Sequence, residues 1–515
     1  MIKNKLSNMK QLLVITLLFV SSFGFSQKLR FKVEGAKDTT VFLTKYYGSK
    51  LFYEDTAQMK GGVVEFTAKK DLKPGIIALL MPQQKYFEVI YNKEEINIET
   101  KAPDFIANMK VKKSEENKVF VAYINYLQSQ RAVATGISDK RKGFKEGDAQ
   151  YKRLGEQLDS ISKLVTAYQN ELQKNNPNKL VSKIIKMSMD VVVPEAPKDA
   201  NGKVINENFR YQYYRAHYWD NIDLKDDRLV NTPVFGSKME YYFGKNMLIQ
   251  HPDTILAFAF PFCDQFDKKS ELFKYSVDYI TNTFAKSKIM GLDKVYVYMV
   301  DRYYCKTDAE GNSIAYWMKD KEKLKELCED NKVKMNLVQG VRPPNISLRD
   351  TTDVNWKNFY DLKSEYTILY FWDPECGHCK KTTPKLQTLY EKKFKDRNVE
   401  IFAVGKATGE DFEKWKKFIR DNKLTFINVG LTRKLFEEAT EDPRKFIPKY
   451  TTLEALNYHD TYDIYATPRI FVLDKDKKIV AKQLTISQLE DFIDRMQNIK
   501  NPEKIFPPDP EEEAN

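Results

Sequence analysis

Apolar and polar residues alternate with period two from Leu29 to about Lys101, in short runs bounded by turn residues. Leu29–Val33, Thr40–Tyr47, Val63–Ala68, Ile76–Met81, Tyr86–Tyr91 and Glu95–Thr100 each predict a strand. Gly61-Gly62 and Asn92-Lys93 stand where hairpin turns are expected. The fold expected over 27–103 is a small all-β sandwich. From Asp104 to Lys334 the pattern becomes helical. Leu154, Leu158, Ile161, Val165 and Tyr168 recur at steps of three and four, and so do Leu272, Phe273, Ser276, Val277, Ile280 and Phe284. Leu180, Ile184 and Ile185 open a shorter helix, His251-Pro252-Asp253 reads as a helix entry, and Val191–Asn206 reads as a loop. Tyr211, Tyr213, Tyr214, Tyr218 and Trp219 crowd one segment, where packing of helices is a stronger reading than an aromatic groove. An all-α region is expected over 104–339.

A third pattern begins near Gly340. Buried strands are predicted at Thr367–Trp372 and Glu400–Val404, each followed by a helical run. A shorter strand follows at Leu424–Val429, and Gly430–Asp463 reads as an irregular, charged insertion. Arg469–Leu473 and Lys478–Lys482 form a hairpin over Asp474–Lys477. A closing helix presents Leu489, Phe492, Ile493 and Met496 on one face, with Ser487 and Glu490 as a capping box. This order predicts an α/β domain over 340–500. Residues 501–515, with Pro-Pro-Asp-Pro and three consecutive glutamates, predict a disordered tail.

The first 26 residues change the picture. Lys3, Lys5 and Lys10 precede an apolar run from Leu12 to Val20, and Gly24-Phe25-Ser26 offers a cleavage site before Gln27. The run is short for a membrane span. A cleaved signal peptide is expected, with an uncleaved anchor as the alternative; no cysteine at the cleavage point supports a lipid anchor. The mature protein is then exported, periplasmic and without a membrane span. The net charge of +12 includes the three leader lysines, leaving about +9 dispersed among acidic residues, which argues against nucleic-acid binding. Charged residues at 30% and hydrophobic residues at 42% are ordinary globular proportions.

The five cysteines are too few for a disulfide scaffold but suit one working pair. Cys263, Cys305 and Cys328 leave room for at most one structural bridge, and each reads by default as a small buried hydrophobe. Cys376 and Cys379 lie three positions apart where a buried strand turns into a helix. Such a pair can close a disulfide, and the helix N-terminus favours the thiolate of the first cysteine. Haem attachment would need histidine where Lys380 stands. A structural zinc site would need a second ligand pair, and none follows at suitable spacing. A peroxiredoxin would need Thr or Ser three residues before the cysteine.

Phe371-Trp372-x-x-x-Cys376-Gly377-His378-Cys379-Lys380, with Pro384 following and Thr467-Pro468 about ninety residues on, resembles a thioredoxin-fold active site. The leader and the insertion before Thr467-Pro468 resemble the exported TlpA-like branch, and the two regions ahead resemble N-terminal extensions of Bacteroidota-type relatives. The resemblance covers about 340–500. It implies a thiol–disulfide oxidoreductase with Cys376 as nucleophile and Cys379 as resolving thiol, needing no cofactor or metal beyond the Cys376–Cys379 disulfide. It implies a cis Pro468, with Thr467, Pro468, Gly377 and Trp372 facing the client. His378 is expected to stabilise the Cys376 thiolate and to push the couple toward oxidising potentials. Two departures oppose a simple transfer. Tyr370 stands where thioredoxin carries a buried aspartate, and Glu375 places a carboxylate beside the thiolate, which would raise its pKa. The expected partners are cysteine-containing exported proteins and an upstream membrane thiol reductant or oxidant, with reduction or isomerisation favoured. The alternative is a periplasmic accessory protein that binds clients or ligands, with the dithiol secondary.

Overall fold

The computed structural model describes residues 27–507. The leader expected over 1–26 and the last part of the tail, 508–515, lie outside the described residues. The chain divides into two compact units. One runs to Met247 and includes Ser270–Tyr275; the other comprises Leu248–Lys269 and the chain from Ser276. The helices expected to form a single region over 104–339 are therefore shared between the units.

The first unit begins with eight strands: β1 (Lys28–Glu34), β2 (Thr39–Tyr47), β3 (Lys50–Met59), β4 (Val63–Thr67), β5 (Gly75–Leu80), β6 (Tyr86–Tyr91), β7 (Ile96–Lys101) and β8 (Lys110–Lys113). They form two four-stranded sheets, ordered β4-β1-β7-β8 and β3-β2-β5-β6. The inward residues of both, among them Phe31, Ile98, Leu79 and Val89, share one core. Strands β3 and β8 escaped the sequence pattern. The residues of β3 are mostly exposed or half-buried, so no period-two apolar signal marks it. Asn92-Lys93 is not a hairpin turn. Strand β6 pairs with β5, whereas β7 runs parallel to β1, so the chain passes there from one sheet to the other.

Five helices follow: α1 (Glu115–Arg141), α2 (Ala149–Asn175), α3 (Leu180–Ser188), α4 (Phe209–His217) and α5 (Pro233–Phe243). Ser114 caps α1 by accepting from the N–H of Asn117. The buried Asn117 amide in turn bonds both the N–H and the carbonyl of Ile90, which fastens the helix to β6. Of the apolar repeat on α2, Leu154 alone is fully buried.

The second unit contains α6 (Pro252–Asp264), all but the start of α7 (Glu271–Ala285), α8 (Asp293–Met299), a π-helical turn over Val300–Tyr304 and α9 (Lys321–Met335). Cys305 follows the π turn and is disulfide-bonded to Cys328 on α9. The α/β part then contributes β9 (Ser347–Asp350), β10 (Trp356–Asn358), β11 (Tyr366–Trp372), α10 (Gly377–Leu389), β12 (Val399–Gly405), α11 (Asp411–Asp421), β13 (Ile427–Gly430), α12 (Arg433–Glu441), α13 (Leu453–Leu456), α14 (Tyr458–Thr461), β14 (Arg469–Leu473), β15 (Ile479–Lys482) and α15 (Ile486–Met496). The sheet is ordered β10-β9-β13-β12-β11-β14-β15.

Strand β11 lies inside this sheet, parallel to β12 and antiparallel to β14. All seven of its residues are buried, and alternate side chains feed two cores. Ile368, Tyr370 and Trp372 meet residues of α10 and α15. Leu369 and Phe371 face Leu435, Phe446, Leu456 and Tyr462 from the insertion. The expected irregular loop over 430–463 is therefore a partly helical cover for the second face of the sheet. Its charges hid a sparse set of buried apolar residues.

Two C-terminal expectations are also corrected. The capping box of α15 uses Thr485 and Gln488, not Ser487 and Glu490. Glu490 is wholly buried, ion-paired with Lys393, and accepts from the N–H groups of Ile505 and Phe506. Those bonds hold residues 505 and 506 against α15, and both side chains pack on its core, so the first part of the expected disordered tail is ordered. Among the described residues, no helix is long and apolar enough to cross a membrane.

Candidate active site: a dithiol at the start of α10

Strand β11 ends at Trp372, and the turn Asp373-Pro374-Glu375 reverses the chain into α10. Cys376 is the N-cap of that helix, with extended backbone, and Cys379 sits in its first turn. Both are free thiols; Cys376 is half-buried and Cys379 fully buried. Opposite them the peptide bond Thr467–Pro468 is cis. The Cys376 thiol donates to the Thr467 carbonyl at 3.2 Å. The N–H of Asp373 points at Cys379 Sγ at 3.5 Å.

Position separates the two thiols electrostatically. Partial burial pushes Cys376 up. The N–H groups of Cys379 and His378, the Cys379 thiol and Thr467 outweigh that and hold Cys376 below the ordinary cysteine value. Burial dominates at Cys379 and pushes it up to about 11, with the Asp373 N–H and Thr467 opposing in part. Cys376 is therefore the more readily ionised of the two thiols, and Cys379 holds its proton near neutral pH. Gly377 is exposed, and a Cβ there would meet nothing within 4 Å, so the surface at Gly377, next to Cys376, is open.

The thioredoxin-like family profile matches residues 364–479, which include the strand, the dithiol and the cis-proline. This is a TlpA-like protein of the thioredoxin superfamily. The activity that accompanies the domain is thiol–disulfide oxidoreduction. A thiol-disulfide oxidoreductase, ResA, from Bacillus cereus is 29% identical over 171 residues, covering 32% of this chain and 82% of its own. Among solved structures, a domain of a possible thiol-disulfide isomerase from Cytophaga hutchinsonii is 34% identical, covering 31% of this chain and 94% of that one, with a TM-score of 0.25. The thioredoxin domain of a thiol-disulfide oxidoreductase from Bacteroides vulgatus is 27% identical, covering 31% and 97%, also with a TM-score of 0.25. Residues 28–120 match a domain of unknown function, DUF4369.

Within the thioredoxin-like domain, the remaining predicted residues fall around the dithiol. Tyr370 is buried on β11, and its hydroxyl shares a 2.7 Å hydrogen bond with Thr383 of α10. Burial holds its proton far above the usual phenol range, so Tyr370 is a neutral polar group beneath the cysteines and not a base. Glu375 is exposed and lies 3.4 Å from Lys414 and 3.7 Å from Lys380, so its charge is shared with two ammonium groups at the rim. His378 is also exposed; the part of it that acts on Cys376 is its backbone N–H. Trp372 is buried against Phe418, with ring centroids 5.1 Å apart, and supports the site from below instead of facing a client.

Two contributors escaped the sequence reading. Asp373 looked like a mere chain break, yet its backbone faces Cys379 and its carboxylate accepts from the Glu375 N–H at 2.7 Å, closing the turn. The Asp-Pro pair before the cysteines was the available signal. The second contributor is a groove beside the dithiol, bounded by Asp373, Lys406, Tyr458, His459, Tyr465 and Thr467. Four of these, Tyr458, His459, Tyr465 and Thr467, come from the segment between β13 and β14, whose contribution depends on how the insertion folds.

Proposed function

We propose that this chain is an exported thiol–disulfide oxidoreductase that exchanges disulfides with cysteine-containing exported proteins through its Cys-Gly-His-Cys pair. The observation that carries the reading is a half-buried free thiol, Cys376, of lowered pKa and bonded to the Thr467 carbonyl of the cis-proline step, with a buried partner thiol near 11 three residues on. In the reducing direction the Cys376 thiolate attacks one sulfur of a client disulfide. A Cys376–client S–S bond forms, and the released client thiolate takes up a proton. Cys379 then loses its proton and attacks Cys376 Sγ. The mixed disulfide breaks, the second client thiolate leaves, and two electrons have passed from the dithiol to the client. An upstream membrane thiol reductant restores the pair in this direction; in the opposite one an oxidant does. No other cofactor enters.

His378 tunes the couple by stabilising the Cys376 thiolate, which favours the reduced form. Thr467, Pro468 and Gly377 offer backbone and open surface to the client. Export rests on the leader and accords with the Cys305–Cys328 bridge, a bond suited to an oxidising compartment.

The test is to trap clients on the Cys379→Ala variant and to measure the reduction potential of the wild-type pair. Mixed disulfides on Cys376 are expected; trapping through Cys379 alone, in the Cys376→Ala counterpart, reverses the roles. A potential near −270 mV or below favours a reductase, and one near −180 mV favours oxidation or shuffling. An accessory, client-binding role for the first unit has one observation in its favour: an apolar groove between α1 and α2, floored by Leu127, Ile161 and Val165. A Cys376→Ser, Cys379→Ser protein that keeps both client binding and its cellular phenotype would favour that role over exchange.

A further inference from the structure

A second cavity in the C-terminal unit is independent of the dithiol and of the exchange reading. Its walls come from the loop joining α7 to α8, from α9, and from the ends of the segment that carries the cis-proline. That segment has two exposures. Its ends, Asp463 and Arg469, line this cavity, while Ile464 to Thr467 line the groove beside the dithiol.

The chemistry of the cavity is unbalanced. Four cations line it, Lys288, Lys334, Arg469 and Lys482, against two carboxylates, Asp293 and Asp463. Lys482 is spoken for: it pairs with Asp293 and donates to the Leu337 carbonyl at 2.8 Å. Arg469 is not. Its nearest carboxylate, Asp463, stands at 4.0 Å. The Gln483 amide oxygen, turned toward it, accepts from the two terminal nitrogens at 3.1 and 3.2 Å. Arg469 Nε is buried and has no acceptor. Lys334, half-buried on α9 and also lining the cavity, has no carboxylate within ion-pair distance among the described residues. Burial acts on Arg469 strongly enough to lower its pKa despite Asp463 and Asp293, as expected where a cation lacks a full counter-charge. A buried N–H without an acceptor is costly, and a planar guanidinium is best satisfied by a planar carboxylate. Ile289, Met290, Val297 and Leu337 supply an apolar part of the wall.

We propose that this cavity binds a small organic carboxylate, with its anionic end on Arg469 and Lys334 and its apolar body against Ile289, Met290 and Leu337. The shape follows a general pattern of ligand sites, in which an apolar wall supplies contact area and a few convergent polar groups set orientation.

The test uses the mature chain and sodium benzoate as the probe, read by isothermal titration calorimetry and saturation-transfer NMR, with benzamide and inorganic phosphate as controls. Benzoate is expected to bind saturably at one site. Benzamide, which has the same body without the charge, is expected to bind at least about tenfold more weakly. Phosphate, which has the charge without the body, is also expected to be the weaker ligand. Lys334→Gln, at a half-buried position, and Arg469→Gln are each expected to weaken benzoate by about tenfold or more. Benzamide binding as tightly as benzoate, or benzoate binding undiminished in Lys334→Gln, overturns the proposal. Phosphate binding as tightly as benzoate overturns the assigned apolar body, and absence of saturable benzoate binding overturns the site. None of these readouts passes through the dithiol, so failure here leaves the exchange reading intact, and failure of exchange leaves this site intact.

Discussion

Cys305 and Cys328 are joined to one another across the end of the π-helical turn and α9, 23 residues apart in sequence, whereas Cys376 and Cys379, three positions apart, both remain thiols. The difference lies in what surrounds each sulfur. The first pair ties two helical segments and has no described role beyond closing that loop. The second sits where a buried strand becomes a helix, so one sulfur meets a row of N–H groups at the surface and the other is buried beneath it. The same functional group is thus a closed disulfide in one region and, in the other, a pair of free thiols at the proposed exchange site. Backbone geometry makes the distinction, since residue type is shared.

The strongest way to break this comparison is to remove a sulfur from each pair. Cys376→Ser should reduce exchange with a protein disulfide to background in an insulin-reduction or refolding assay, with the melting temperature little changed. Paired Cys305→Ser and Cys328→Ser substitutions should do the reverse. Closing a loop of this length is worth roughly 3 kcal/mol on chain-entropy grounds, so denaturant unfolding should show a loss of that order while exchange per folded molecule persists. Exchange lost together with the staple would mean that the two pairs are coupled.

A second contrast sharpens the working pair itself. The rate of iodoacetamide labelling should rise with pH through an inflection below the ordinary thiol value of about 8.5, because only the Cys376 thiolate reacts. Cys379, pushed up to about 11, should stay unlabelled near pH 7 in the native reduced protein. Mass spectrometry of the labelled peptide distinguishes the two sites.

His378 should give a smaller effect, and its form is informative. Of His378, the backbone N–H is the group that helps lower the Cys376 pKa, so His378→Ala should move the labelling inflection little and His378→Pro, which removes that N–H, should raise it. A rise in His378→Ala equal to that in His378→Pro would assign the effect to the ring. The smallest change is expected for Glu375→Gln. Its carboxylate is exposed and shared with Lys380 and Lys414, so a surface-level interaction of about 1 kcal/mol or less is at stake, and the inflection should move by less than about one pH unit.

Much of the fold could be read where one face of an element is buried and the other is not. Strand β1 alternates cleanly, α7 keeps its 3.6 period, and β11 is an unbroken apolar run. Reading failed where burial and periodicity part company. Strand β3 is largely exposed, so its residues carry no alternation. The insertion contributes only scattered buried residues among charges, and its helices α13 and α14 are four residues each, too short for a period to show. The capping box of α15 was displaced by two residues because Ser487 and Glu490 match the same spacing as Thr485 and Gln488, and only burial of Glu490 tells them apart.

Sequence alone determined that two cysteines share the first turn of a helix after a buried strand, because their spacing and the apolar run before them leave few other arrangements. It also determined that a Thr-Pro step precedes a later strand. Only the tertiary structure decided that β14 runs beside β11, placing the Thr467 carbonyl 3.2 Å from Cys376 across 91 residues of chain. It decided that the His378 backbone N–H lies toward Cys376, that Trp372 is buried, and that Glu375 lies near lysines from α10 and α11. The physical reason is common to these cases. Spacing along a helix is local and follows from 3.6 residues per turn, whereas burial and the charges that reach a sulfur depend on which distant segments pack around it.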